Sequence, residues 1–179
     1  MCPRTSMRAR WWDYGCDALY FVTLVTKNRR QYFGDVIDGK MELSHVGIIA
    51  DILWTEIKYH STHVILHQYV IMPDHLHGII ELKGNKPKPD VFVDPHSSEI
   101  ASMRYQNQGK NTLSSITGSY RSAVSKHAHR LGFDFEWQLR CHDHIIRNDG
   151  EYNRISKYIL NNPLHWEKDD FLRLFDEGD

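Results

Sequence analysis

The hydrophobic positions along the chain change period several times, and each change marks an element. "ALYFVTLVTKN" (18–28) is an almost continuous run of β-branched and aromatic residues, the pattern of a buried strand. "RRQYFGDVIDGK" reads as a polar, turn-rich connection. From Met41 to about Tyr59, Val46, Ile49, Ala50, Leu53 and Ile57 recur at helical spacing, with Ser44 as a start signal. "HVILHQYVIM" predicts a second strand, "MPD" a tight connection in which proline cannot donate to a ladder, and "HLHGIIELK" a third strand in hairpin with the second. Residues 83–111 lose the periodicity and carry three prolines and several lysines, as expected of a long exposed loop.

Periodicity returns in "TLSSITGSYRSAVSKHAHRLG", a helix with Ile116, Tyr120, Ala123, Val124 and Leu131 as its buried stripe and Gly132 at its end. "FEWQLRCHDHIIR" is expected to be a fourth strand or extended segment. Asn148 and Glu151 form an Asn-x-x-Glu variant of the capping box. The helix they open, "EYNRISKYILNN", stops before Pro163, and the acidic end beyond it reads as a peripheral helix or tail. The order β–α–β–β–α–β plus a last helix predicts a ferredoxin-like α+β fold, an antiparallel sheet with helices packed on one face. One domain over 1–179, with its core at about 17–166, accommodates all of it.

Composition narrows the function classes. With 22 basic and 23 acidic residues the formal net charge is −1, which excludes a histone-like mode of nucleic-acid binding but leaves room for a local basic groove. Three cysteines without C-x-x-C spacing (Cys2, Cys16, Cys141) point to a reducing compartment and away from a disulfide framework or cysteine zinc cage. The N-terminal stretch lacks the apolar core of a secretory signal, and "ALYFVTLV" is too short to span a bilayer, so no membrane association and a cytoplasmic location are expected.

Candidate chemistry concentrates in "MPDHLHGII". In a strand, side chains alternate faces, so His75 and His77 point the same way with Leu76 opposite; on a helix they would diverge by about 200°. Two imidazoles side by side suit a metal site, although two half-exposed strand histidines would look the same in sequence. In the last helix, Ile155, Tyr158, Ile159 and Asn162 fall on one stripe. Packed near the histidines, that stripe would add a phenol and a carboxamide oxygen to the imidazoles, a divalent-cation centre with a nucleophile beside it. Alternatively Tyr158 is a core aromatic and Asn162 a helix cap. Among the nine tyrosines, Tyr120 has Val124 at i+4, Tyr152 has Ser156, and Tyr59 has His63 beyond its helix, which leaves Tyr158 best supplied. Asp143 and His144 are candidates to orient a ligand or touch DNA, and Arg147 to hold a phosphate. Arg29, Arg30, Lys83, Lys86, Lys88, Arg121 and Lys126 are candidates for a DNA-facing basic surface. A Cys141/His142/His144 zinc site lacks a fourth ligand.

"MPDHLHGII", "WQLRCHDHIIR" and "YILNNP", in this order and spacing, resemble the single-tyrosine HUH transposases, specifically the REP-associated tyrosine transposase group, over about Leu19 to Trp166. The resemblance implies His75 and His77 as two metal ligands, Asn162 as the third, Tyr158 as the nucleophile, and a ferredoxin-like sheet. It implies nicking and joining of single-stranded or hairpin DNA through a 5′-phosphotyrosine, with Mg²⁺ or Mn²⁺, in the cytoplasm of a bacterium beside its nucleoid DNA. A homodimer is a weaker implication. The long 83–111 segment departs from the family pattern and bears on target recognition. The rival readings are a catalytically silent hairpin binder and an RNA-binding module. Against the second, the third strand offers histidines, Ile79 and Glu81 where base-stacking aromatics would alternate.

Overall fold

A computed structural model describes residues 16–84, 111–139 and 141–168. The expected 83–111 loop lies mostly outside these residues, as do Lys86, Lys88 and the end of the acidic tail.

Strand β1 (Ala18–Val25) is central. It is flanked on one side by β5 (His75–Leu82) and on the other by β6 (His142–Ile146), while β4 (Val64–Met72) pairs with the outer edge of β5. All pairings in this sheet are antiparallel, in the order β4-β5-β1-β6. This is the strand arrangement of a ferredoxin-like fold, reached through α1 (His45–His60) and α2 (Leu113–Arg130). The last helix, α3, runs from Asp149 to Asn161, followed by a 3-10 segment over Asn162–Lys168.

Helix starts obey local chemistry. Ser44 accepts the Gly47 amide at 3.1 Å, Thr112 and Ser115 form a reciprocal capping box, and Asn148 accepts the Glu151 amide at 2.9 Å. Gly132 takes the left-handed conformation (φ +82°) just past α2, as expected of a residue there.

Alternation along the strands builds two cores. Tyr20, Val22 and Leu24 of β1 and Leu76, Ile80 and Leu82 of β5 meet α1 and α2 on one face. Phe21, Ile79 and Ile146 meet Ile155 and Ile159 of α3 on the other. The first two helices thus share a face as expected, and the tyrosine helix covers part of the opposite one. Trp54, fully buried, fills the centre of the first core, where its ring lies against Gly78 and edge-on to Tyr120. The buried stripe of α1 therefore runs Val46–Ala50–Trp54–Ile57, rotated from the expected Leu53. In α2, Leu113 and Ala128 join the stripe, and Leu131 is 64% exposed rather than buried.

Within the polar, turn-rich connection between β1 and α1 lies a hairpin, β2 (Gly34–Ile37) with β3 (Lys40–Leu43). Its two turn residues, Asp38 (φ +50°) and Gly39 (φ +70°), both adopt positive φ, the requirement of a type I′ turn, which Asp-Gly meets readily. That dipeptide was the available signal.

Because a Cβ on Gly78 would collide with the immobile Trp54 ring, Gly78→Ala should lower stability by about 1–3 kcal/mol in a urea titration. An unchanged midpoint would show that the helix–sheet packing is looser than described.

Candidate active site

The two-residue turn Pro73–Asp74 between β4 and β5 is tied down by its carbonyls. The carbonyl of Asp74 accepts from both the backbone N–H and the Oγ1 of Thr26, at 2.9 and 2.8 Å, and that of Pro73 accepts from Phe33 at 3.0 Å. The turn delivers β5 in a register that opposes His75 to Val25 and His77 to Thr23. Both imidazoles then lie on the α3 face, with 1% and 0% exposure and ring centroids 4.4 Å apart.

Each ring is oriented through its Nδ1. His75 Nδ1 donates to the Asp74 carboxylate at 2.5 Å. His77 Nδ1 lies 2.8 Å from Thr23 Oγ1. A carboxylate acceptor fixes the proton of a neutral His75 on Nδ1 and leaves Nε2 with its lone pair, the arrangement that commonly orients metal-binding histidines. The other oxygen of buried Asp74 accepts from Arg29 Nη1 at 3.3 Å. Arg29 and its neighbour Asn28 both adopt positive φ (+51° and +55°), which asparagine tolerates but which costs Arg29.

Burial holds the pKa of His77 well below the ordinary imidazole value, and the neighbouring His75 and Arg29 push it the same way. His77 is thus neutral near pH 7 and has no proton to release when it takes up a cation.

Tyr158 approaches from α3, because Ile155 and Ile159 on the same stripe are buried in the second core. Its hydroxyl is 3.2 Å from His77 Nε2, and its ring centroid 5.3 Å from the imidazole's. Phe21 stacks on His77 at 5.2 Å and stands edge-on to Tyr158 at 6.5 Å. Asn162 caps the C-terminus of α3 and is 2% exposed. It lies midway in sequence between Tyr158, on His77, and Trp166, whose ring stacks over His75 at 6.0 Å. β5 and α3 thus bring His75, His77 and Tyr158 together, and Asn162 follows Tyr158 by one helical turn at the buried end of α3. Tyr120 is excluded from this site: its hydroxyl donates to the Ala50 carbonyl in the opposite core. Tyr59 is 71% exposed on α1.

Among the described residues no group of three or more His, Cys, Asp or Glu is placed to hold a metal ion, which also removes the Cys141/His142/His144 arrangement. A cation at the histidines would use the two imidazole Nε2 atoms and the Asn162 carboxamide oxygen. That mixed nitrogen and oxygen donor set fits Mn²⁺ or Mg²⁺, with positions left for substrate oxygens.

The remaining candidates are dispersed. Of the basic residues, Arg29 stands beside the histidines. Arg30 pairs with Asp134 at 3.3 Å, and Lys83 is exposed past the far end of β5. Arg121 and Lys126 belong to α2, on the other side of the sheet, where Arg121 lies over Trp137 and donates to the Gln138 carbonyl. Arg147 is exposed at the end of β6. Asp143 pairs with Val22 and so belongs by alternation to the α1–α2 face, which separates it from the histidines. His144 pairs with Phe21 on the α3 face, and its Nε2 meets Glu151 Oε1 at 2.6 Å rather than a histidine of the site.

Thr23, Asp74 and Trp166 also stand at the site, although the sequence pattern does not single them out. Asp74 carried a signal, an aspartate directly before the first histidine. The parts of Thr23 and Trp166 depend on strand register and on chain reversal after α3, which no local pattern encodes. An NMR pH titration should find the His77 imidazole neutral at about pH 6, where an ordinary histidine is mostly charged. Ordinary titration of His77 near 6.5 would contradict its burial.

No protein-family model matches the chain. An uncharacterised protein of Haemophilus influenzae Rd is 32% identical to it over 168 residues, 93% of this chain and 91% of that protein. Among solved structures, that of a REP-associated tyrosine transposase bound to a REP hairpin aligns with a TM-score of 0.58 and 21% identity, covering 90% of this chain and 74% of the other. The chain belongs to one family with the Haemophilus influenzae protein and has the fold of the REP-associated tyrosine transposase.

Proposed function

We propose that the protein is a transposase-like, metal-dependent enzyme that cleaves and rejoins single-stranded DNA carrying a hairpin, through a covalent bond to Tyr158. The observation that carries this reading is the contact between the Tyr158 hydroxyl and His77 Nε2, with His75 alongside. A phenol, two oriented imidazoles and a nearby carboxamide are the parts a phosphoryl transfer to tyrosine needs. The structural neighbour was solved with a REP hairpin, and this chain shares its fold.

In the proposed reaction the Tyr158 oxygen attacks phosphorus, the Oη–P bond forms as the P–O3′ bond breaks, and the product is a 5′-phosphotyrosine with a free 3′-OH. The phenol loses one proton and the departing oxygen gains one. The phosphodiester energy stays in the new ester, so the strand rejoins without ATP. A divalent ion held by His75, His77 and Asn162 would draw charge from the scissile phosphate and stabilise the transition state. An unassisted phenol, with a pKa of about 10, is a poor nucleophile at neutral pH. Helix α3 holds Tyr158 at the imidazoles before substrate arrives, so little ordering remains to be done in the reaction. With the chain's net charge near zero, DNA affinity comes from local contacts, and Arg29 is placed to meet a phosphate at the site.

Incubation with Mn²⁺ and a labelled hairpin bearing a single-stranded flank should give an SDS-resistant protein–DNA adduct. EDTA, His75→Ala and His77→Ala should abolish it, and Tyr158→Phe should reduce it by more than about a thousandfold. Tyr120→Phe should leave it intact. Hairpin binding without any adduct would favour a silent hairpin binder, and an adduct that persists in Tyr158→Phe would place the nucleophile elsewhere.

A further inference from the structure

Helix α3 carries the tyrosine in its third turn, and its first turn also bonds to the sheet. Tyr152 reaches to β4, where its hydroxyl is 3.0 Å from His67 Nδ1 and donates to Gln68 Oε1 at 3.0 Å. His67 Nε2 is in turn 3.0 Å from Glu81 Oε2 of β5. Glu151, the preceding residue, reaches the other way, to His144 of β6 at 2.6 Å. Its second oxygen accepts the Arg147 amide at 2.8 Å, and the Arg154 guanidinium stands 4.0 Å from the first. Burial would raise the Glu151 pKa, but the Arg147 amide and His144 outweigh it and hold it below the ordinary value.

Neighbouring helical residues point about 100° apart. The two side chains can therefore grip both edge strands, β4 and β6, which stand three strand spacings or about 14 Å apart.

On β4 the grip requires a special backbone. Leu66 pairs with Ile80 but Tyr69 with Gly78, so His67 and Gln68 together oppose Ile79. In a regular strand two consecutive side chains would face opposite sides; an extra residue re-aims one, and here both reach the same hydroxyl.

We propose that Tyr152–His67 and Glu151–His144 are paired histidine latches that fix the register of α3 on the sheet, making Tyr152 and His144 positioning residues for Tyr158. Latching the first turn sets the rotation and height of the third, because the helix between them is anchored by Ile155 and Ile159 and transmits displacement as a rod. Tyr158 stands six residues, about 9 Å of helix, beyond Tyr152. The inference rests on Tyr158 being the nucleophile; the latches themselves are a property of the fold.

The test uses the full chain with Tyr152→Phe and His144→Leu, singly and combined, and His144→Gln, which retains a donor for Glu151. Single-turnover adduct formation is measured at saturating hairpin DNA and Mn²⁺, together with DNA affinity, and amide exchange over residues 153–161 is measured without DNA. Either single variant should lose less than about threefold in rate, because the other latch holds, whereas the double variant should lose about tenfold or more at unchanged affinity. His144→Gln should keep the wild-type rate, and the double variant's helix amides should exchange about tenfold faster. An unchanged rate and unchanged exchange in the double variant would overturn the proposal, as would a loss confined to affinity. If the wild-type chain forms no adduct, the functional reading fails and exchange alone decides the latches: acceleration in the double variant supports them, and no change overturns them.

Discussion

The site depends on the period-two alternation of one strand buried on both faces. In β5, Leu76, Gly78 and Ile80 face the α1–α2 core, while His75, His77 and Ile79 face α3. A slip of one residue would drive both imidazoles into the apolar core and turn Leu76 and Ile80 toward the tyrosine helix, so the register is strongly specified. Two features hold it. The Pro73–Asp74 turn is tied by its carbonyls to Thr26 and Phe33, and Gly78 is the only residue type small enough to sit under Trp54.

Burying two imidazoles and a carboxylate carries a desolvation cost, which the site offsets by partnering. Asp74 is satisfied by His75 on one oxygen and Arg29 on the other; His77 is held neutral and bonded at both nitrogens. The positive φ of Arg29 fits the same logic, since it brings a guanidinium to the buried Asp74 carboxylate beside the histidines. Truncating Asp74 would leave His75 without the acceptor that fixes its tautomer, so the aspartate matters to the site although it would touch neither cation nor DNA.

Elements whose hydrophobic period is unbroken were legible in the sequence: the four sheet strands, α2 and α3, and the stripe that carries Tyr158 and Asn162. Their order was enough for the sheet topology, because short antiparallel connections leave few alternatives. The β2–β3 hairpin was hidden because its strands are short and mixed in polarity, and Asp-Gly was the one mark of it. Period alone does not single out Trp54, because side-chain volume decides which residue fills the space above Gly78. At the site, the histidine pair follows from alternation alone, while Thr23, Trp166 and the His67–Gln68 bulge depend on contacts between residues distant in sequence. The same alternation puts Asp143, a candidate to orient a ligand or touch DNA, on the α1–α2 face, because it pairs with Val22 of β1.

Crystals soaked in Mn²⁺ and measured for anomalous scattering test the central claim most directly, without relying on any choice of DNA. The account predicts one strong peak bounded by His75 Nε2, His77 Nε2 and the Asn162 carboxamide oxygen, next to the Tyr158 hydroxyl. A peak elsewhere on the chain, or none at these residues under saturating Mn²⁺, would contradict it.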